Sequence, residues 1–252
     1  MVVFNSDLDN TLIYSYKRDI GENKINVELY QGREISYMTE KSYKMLAEVR
    51  KKVCFVPTTT RTMEQYKRID FGGEVPEYAL VCNGGVLLVN GILNEEWYQE
   101  SIKLIKECRK DLEKAIKVLE NDINRCFEIR FINELFVFSK SNIPDKTVVI
   151  LKSMLNIEKV DVFHNGTKVY VVPKPLNKGI GLERLKIKLS ADIILAAGDS
   201  EFDIPMLEKA DIAFAPEDLN YKSSVKNQNV IVYSNDKLIS DEVLQYILNR
   251  DM

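Results

Sequence analysis

The sequence predicts an α/β protein built on a doubly wound, mostly parallel sheet, with an α+β domain inserted into it. Three observations predict this. First, short apolar runs end in polar tips: "VVFNSDLDNT" (2–11), "VCFVPTTTR" (53–61), "YALVCNGG" (78–85) and "DIILAAGDS" (192–200). Strands buried on both faces read as such continuous runs, and open α/β sheets bind ligands at the carboxyl ends of their strands. Second, stretches of helical periodicity separate these runs. Third, the rhythm between them changes to helix-strand-strand, twice over. The expected organisation is therefore a Rossmann-like core of residues 1–87 and 172–252, with an α+β cap at 88–171.

In order, residues 2–6 predict a buried strand. "INVELYQGREISYM" predicts a β-hairpin that alternates on each side of Gln31-Gly32. Thr39 is the expected N-cap of a helix over 40–51, followed by a strand over 53–61, a short helix over 62–69 and a strand over 78–85. Ile102, Ile105, Cys108, Leu112, Ala115, Ile116, Leu119 and Ile123 mark one long helix by spacing. Two strands (127–132 and 135–139), a helix (144–155) and two more strands around Asn165-Gly166 complete the cap. A helix over 178–189, the strand run 192–200, a helix over 203–209, the strand "IAFAP" (212–216) and a C-terminal helix over 240–250 return to the α/β pattern.

Composition sets exclusions. The 252 residues are 45% hydrophobic and 29% charged with a net charge of -3, so there is no basic footprint for nucleic acid. No apolar run approaches the ~20 residues of a membrane span and the amino terminus enters a strand directly, so neither membrane association nor export is expected, and a cytoplasmic location is. The cysteines at 54, 82, 108 and 126 form no C-x-x-C pair, and Cys54 and Cys82 read as small buried hydrophobes. The single histidine, His164, precedes a turn signal, where a surface position is expected. Chemistry must run on carboxylates, hydroxyls and lysine.

Asp7 and Asp9, one leucine apart at the end of a buried strand, are the carboxylates that stand out. An EF-hand loop does not fit, because Leu12-Ile13 follow in place of its glycine and distal glutamate. Three further segments bring compatible groups to strand or helix ends: Thr59 in "PTTTR", Lys178 in "NKG", and Asp199 with Asp203 in "GDSEFD". Asp7, Asp9, Asp199 and Asp203 together would repel one another without a divalent cation, and an all-oxygen ligand set suits Mg²⁺ rather than zinc. Phosphoryl transfer needs what this set offers: an in-line nucleophile, neutralised phosphate oxygens and a proton for the leaving group. Lys178 would offset remaining negative charge, and Thr59 would donate to phosphate.

With these residues in place, the D-x-D-x-T element, the threonine, the lysine and the G-D-x-x-x-D element as a set resemble the haloacid dehalogenase superfamily. The resemblance implies that Asp7 is a nucleophile forming an aspartyl-phosphate and Asp9 the general acid and base. It implies Mg²⁺ held by the Asp7 side chain, the Asp9 carbonyl and Asp199, with Asp203 acting through water or by positioning Lys178. An acid at position 9 fits phosphatases and phosphomutases; dehalogenases lack it and transport ATPases carry threonine. The insertion between "NGG" and Lys178 is similar to the C2-type cap of the Cof-like, sucrose-phosphatase and mannosyl-3-phosphoglycerate phosphatase branches.

The implied activity is Mg²⁺-dependent hydrolysis of a small phosphorylated metabolite, with a sugar phosphate as the expected substrate. Two alternatives stay open: a phosphomutase, and a catalytically weak protein that binds a phosphorylated ligand for regulation. Arg61, Asn83 and Gly84 are candidate substrate contacts, against the plainer roles of ion-pair partner and turn residues. The sequence departs from the family pattern at Thr60, where glycine is usual, and at Phe202, where asparagine is common. The segment 14–38 is longer than usual and is expected to form a flap. Substrate identity and oligomeric state carry no motif.

Overall fold

The computed structural model describes residues 1–219 and 229–250. The chain begins with β1 (Val2–Ser6), β2 (Tyr14–Ser15), β3 (Lys24–Tyr30), β4 (Arg33–Thr39), α1 (Glu40–Lys52), β5 (Cys54–Pro57) and α2 (Met63–Tyr66). It continues through β6 (Tyr78–Val81), β7 (Val86–Val89), β8 (Ile92–Leu93), α3 (Glu95–Leu104) and α4 (Arg109–Glu120), then β9 (Arg130–Ile132), β10 (Phe136–Lys140) and α5 (Pro144–Met154). The last elements are β11 (Val160–Asn165), β12 (Lys168–Pro173), α6 (Lys178–Leu189), β13 (Ile193–Ala197), α7 (Ile204–Lys209), β14 (Ile212–Pro216), β15 (Val230–Tyr233) and α8 (Ile239–Leu248). Two compact units form: Met1–Asn94 with the residues from Lys178 on, and Glu95–Asn177.

The first unit holds a parallel five-stranded sheet in the order β15-β14-β13-β1-β5. Phe4 of β1 sits between Leu195 and Phe55, and Val3, Phe4 and Leu195 are fully withdrawn from solvent. Each such apolar side chain stabilises the fold by roughly 1.5–3 kcal/mol. The chain leaves β1 toward β5 on one side and returns to β13 on the other, which makes the carboxyl end of β1 a topological switch point, where open α/β sheets bind ligands. The α1 helix starts where Thr39 accepts from the Ser42 amide at 2.8 Å, and it buries Met45, Leu46 and Val49. Its first turn carries Glu40 and its last turn Arg50, Lys51 and Lys52, both matched to the helix dipole. The strand β15, "VIVY", was not expected from the sequence; four residues at a sheet edge, three half-buried and Val232 exposed, carry little periodic signal.

Segment 14–38 folds as an antiparallel sheet in the order β2-β4-β3. The alternation expected of β3 fails in the middle, because its register slips on both sides of Glu28. That bulge buries Val27 and Glu28 in succession, which a regular pleat cannot do.

The second unit has an antiparallel sheet, β11-β12-β10-β9, with Val137, Val162, Val169 and Val171 buried alongside Leu112, Ala115 and Leu119 of α4 and Val148 and Leu151 of α5. The long helix expected from Ile102 to Ile123 is broken: α3 ends at Leu104, a 3₁₀ turn spans Lys106–Cys108, and α4 follows. The Cys108 amide bonds the Ile105 carbonyl three residues back, so the turn tightens while Ile105, Cys108 and Leu112 stay buried. Periodicity cannot see such a break. Ile123 lies beyond the helix and is 93% exposed. His164 stands near the hairpin turn, its ring bonded to Asp145 (3.0 Å) and the Gly166 carbonyl (3.1 Å). None of the four cysteines forms a disulfide; Cys82 and Cys108 are buried, Cys54 is half-buried and Cys126 is exposed. No helix among the described residues is long and apolar enough to cross a membrane.

Candidate active site

Asp7 follows β1 directly, its amide bonded to the Ala197 carbonyl of β13 at 2.9 Å. Lys178, the first residue of α6, donates from Nζ to Asp7 Oδ1 and to Asp203 Oδ1, both at 2.5 Å. Its side chain is only 1% exposed. Asp203 Oδ2 accepts from the Asp199 amide (3.1 Å), the Ser200 amide (2.9 Å) and the Ser200 hydroxyl (2.8 Å). Both Asp203 oxygens are thus engaged, so it braces Lys178 and the 199–200 turn. Thr11 donates to Asp199 Oδ1 at 3.1 Å and lies 3.5 Å from Asp7 Oδ2.

Two glycines make this convergence possible. A Cβ on Gly179 would stand 2.2 Å from the Pro205 carbonyl oxygen, and one on Gly198 would stand 2.3 Å from Asp203 Cβ. Only glycine lets α6 and the 198–205 turn approach this closely. The departure at Phe202 takes no partner from Asp203, whose bonds come from residues 178, 199 and 200.

A second cluster forms around Arg61. Its Nε and one terminal nitrogen meet both oxygens of Asp9, at 2.8 and 2.7 Å, and the other terminal nitrogen meets Glu28 Oε2 at 2.9 Å. Arg68 holds Glu28 Oε1 at 3.0–3.1 Å, and the Ser36 hydroxyl donates to Glu28 Oε2 at 2.7 Å. Glu28 is the residue that sequence reasoning missed, because the expected alternation left it outward. The Asp9 side chain, in contrast, is 52% exposed.

Thr59 lies just past β5 and is fully buried; its amide bonds the Leu80 carbonyl (2.8 Å) and its hydroxyl accepts from the Arg61 amide (3.1 Å). That leaves its hydroxyl proton to donate. Left-handed backbone falls at Cys82, Asn83 and Gly84, not at Thr60, so the tip after β5 does not need the family's glycine. Gly84 packs on α6, its Cα 3.0 Å from where a Cβ on Gly181 would stand.

Ligand atoms of Asp7, Asp199 and Asp203 lie within 4.8 Å of one another. Asp9, turned to Arg61, is not in that group. Three acids face one ammonium here, and the charges show it. Burial, then Asp203, raises Asp7 well above the usual carboxylate range, with Asp199 and Asp9 adding to it and Lys178 opposing. Burial and Asp203 lift Asp199 to about 6 against the Thr11 hydrogen bond and Lys178. Burial works against the charge of Lys178, but Asp203 and Asp7 outweigh it and hold its pKa above the ordinary value. An all-oxygen, anion-rich cluster of this kind fits a hard divalent cation.

Sheet order, the inserted second unit and the acidic cluster define a doubly wound α/β architecture, and the sequence places it in a family. The chain belongs to the haloacid dehalogenase-like hydrolases, whose family matches residues 85–243, more than half its length. That span includes Lys178, Asp199 and Asp203 and leaves Asp7, Asp9 and Thr59 before it. No curated protein sequence matches the chain. Among solved structures, the sucrose-phosphatase of Synechocystis sp. PCC6803, in complex with sucrose and phosphate, is similar over 98% of this chain and 96% of its own, with TM-score 0.68 and 16% identity. A trehalose-6-phosphate phosphatase related protein is similar over 98% and 96% (TM-score 0.57, 14% identity). The IMP-nucleotidase of Plasmodium falciparum is similar over 99% of this chain and 68% of its own (TM-score 0.59, 14% identity). At these identities the likeness is one of fold.

Proposed function

We propose that the protein is a Mg²⁺-dependent phosphatase of small phosphorylated metabolites, sugar phosphates among them, working through an aspartyl-phosphate. The observation that carries this reading is the buried Asp7 carboxylate, fixed by Lys178 at 2.5 Å beside a surplus of acids. Asp7 and Asp199 with the Asp9 backbone carbonyl would hold the cation, with Asp203 behind Lys178. When bound, Mg²⁺ supplies positive charge that keeps Asp7 ionised and offsets the phosphate.

In the first half-reaction an Asp7 oxygen attacks phosphorus and the phosphoester bond breaks. Asp9 gives its proton to the departing oxygen. In the second, water attacks the phosphorus, Asp9 takes the water's proton, and Asp7 is released with inorganic phosphate. Lys178 and the Thr59 hydroxyl bind phosphate oxygens throughout. Asn83, just beyond β6, is a candidate contact for the substrate's organic part. The sugar component rests on two structural relatives, a sucrose-phosphatase and a trehalose-6-phosphate phosphatase related protein.

The test is hydrolysis of an aryl phosphate with and without Mg²⁺. Wild type should be active only with the cation, and Asp7→Asn should lose on the order of 10⁴-fold or more in kcat. Activity surviving in that variant sinks the nucleophile assignment. A panel of phosphometabolites on wild type then reads the substrate.

A further inference from the structure

The Glu28–Arg61–Arg68 arrangement does something that phosphoryl transfer at Asp7 does not require. Arg61 has two carboxylate partners in different surroundings. On its inner side stands Glu28, whose side chain is 0% exposed and which is tied to Arg68 and Ser36 as well. On its outer side stands Asp9, half in solvent. Breaking the inner pair would strand a buried charge; breaking the outer one returns a carboxylate to water. The guanidinium is therefore anchored, and only its outer edge can change partner. That edge presents two parallel N–H donors, spaced for one flat or tetrahedral anion. With Asp9 turned away, Glu28, Arg61 and Arg68 together carry one net positive charge.

We propose that Arg61, anchored by Glu28, is an exchangeable anion seat that takes a second anionic group of the substrate in place of Asp9. This rests on the proposed phosphatase reading for the identity of the first group, the phosphomonoester. It adds that the substrate is a phosphomonoester that also bears a carboxylate or a further phosphate. Occupation of the seat releases the Asp9 carboxylate from its bidentate clamp to face the leaving oxygen, so the second anion both binds the substrate and frees the proton-transfer group. No bond is made or broken in the exchange. Glu28 acts through Arg61 and is a positioning residue.

The experiment compares three two-carbon phosphomonoesters: ethyl phosphate, phosphoglycolate and ethylene glycol bisphosphate. Affinity is read by calorimetry on the full chain with Mg²⁺, and kcat and KM are read in parallel. Wild type should bind phosphoglycolate or the bisphosphate about tenfold or more tightly than ethyl phosphate, the size of one charge-assisted bidentate contact. The favoured compound tells carboxylate from phosphate, and its kcat should rise as well. Arg61→Lys, which keeps the charge but loses the fork, and Glu28→Gln should each shrink the preference to about threefold or less. Equal affinity for all three in wild type overturns the proposal, as does a preference that survives Arg61→Lys; neither wild-type outcome depends on how a variant folds. Preferential binding without turnover would leave the seat standing and defeat the phosphatase reading, whereas turnover without preference would do the reverse.

Discussion

The two ionic clusters of the first unit use the same residue types and reach opposite charge balances. Around Lys178, three acids share one ammonium, and burial together with that surplus raises the pKa values of Asp7 and Asp199. Around Glu28, two arginines meet two carboxylates, and the charges cancel. In the proposed reading the first cluster takes a divalent cation. The second is complete, and can only exchange a partner. Charge count, more than distance, separates a site poised to bind from one that orients.

The strongest way to break this comparison is Lys178→Met, which leaves Asp7 and Asp203 buried without their cation. Removing one partner of a buried pair costs about 3–5 kcal/mol, so unfolding in urea should shift by that much, with activity lost. Next is Glu28→Gln, which leaves two arginines short of one charge but keeps a bond for Ser36. A loss of about 2 kcal/mol is expected, and addition of Mg²⁺ should not restore it, unlike effects at the other cluster.

Asp199→Asn should act in the opposite direction. Its carboxyl is lifted to about 6, so the native state binds a proton more tightly than the unfolded chain, whose value is near 4. The stabilisation from that proton is present below pH 4 and is lost as pH rises to about 6. Above pH 6 the ionised Asp199 burdens the fold by on the order of 3 kcal/mol. The variant should therefore melt higher than wild type at pH 7.5 without Mg²⁺ and close to it near pH 4. Mg²⁺ should raise the wild-type melting temperature and raise the variant's far less. An unchanged melting temperature at pH 7.5 would deny the acid surplus. The smallest effect is expected at Thr60→Gly, which restores the family's usual residue where no left-handed backbone asks for it. It should cost about 0.5–1 kcal/mol through the unfolded chain's added freedom.

The first cluster was legible in the sequence because its parts stand at strand and helix ends. Asp7, Lys178, Asp199 and Asp203 could be named from apolar runs and their polar tips, and Gly179 and Gly198 belonged to the same motifs. The partition of Asp203 from Asp199 came only from the family resemblance, which left Asp203 acting through water or by positioning Lys178; its hydrogen bonds to Lys178 and the 199–200 turn favour the second. The second cluster was half visible: Arg61 and Asp9 stood out, but their partnership did not. Glu28 was invisible because a bulge, one residue out of phase, turned an outward position inward. The break between α3 and α4 was hidden for a related reason, as a 3₁₀ turn shifts the backbone without changing which side chains are buried.

By itself the sequence determined the layered α/β plan, the elements that end at the crevice, and the residue types that meet there. These follow from local patterns, burial period and backbone preference, which are written along the chain. Only the tertiary structure decided how charges are counted within each cluster, and so which carboxylates crowd around Lys178 and which hold an arginine. Charge balance depends on distances of a few ångströms between residues as far apart as 7 and 178 or 28 and 61, and no local pattern encodes those.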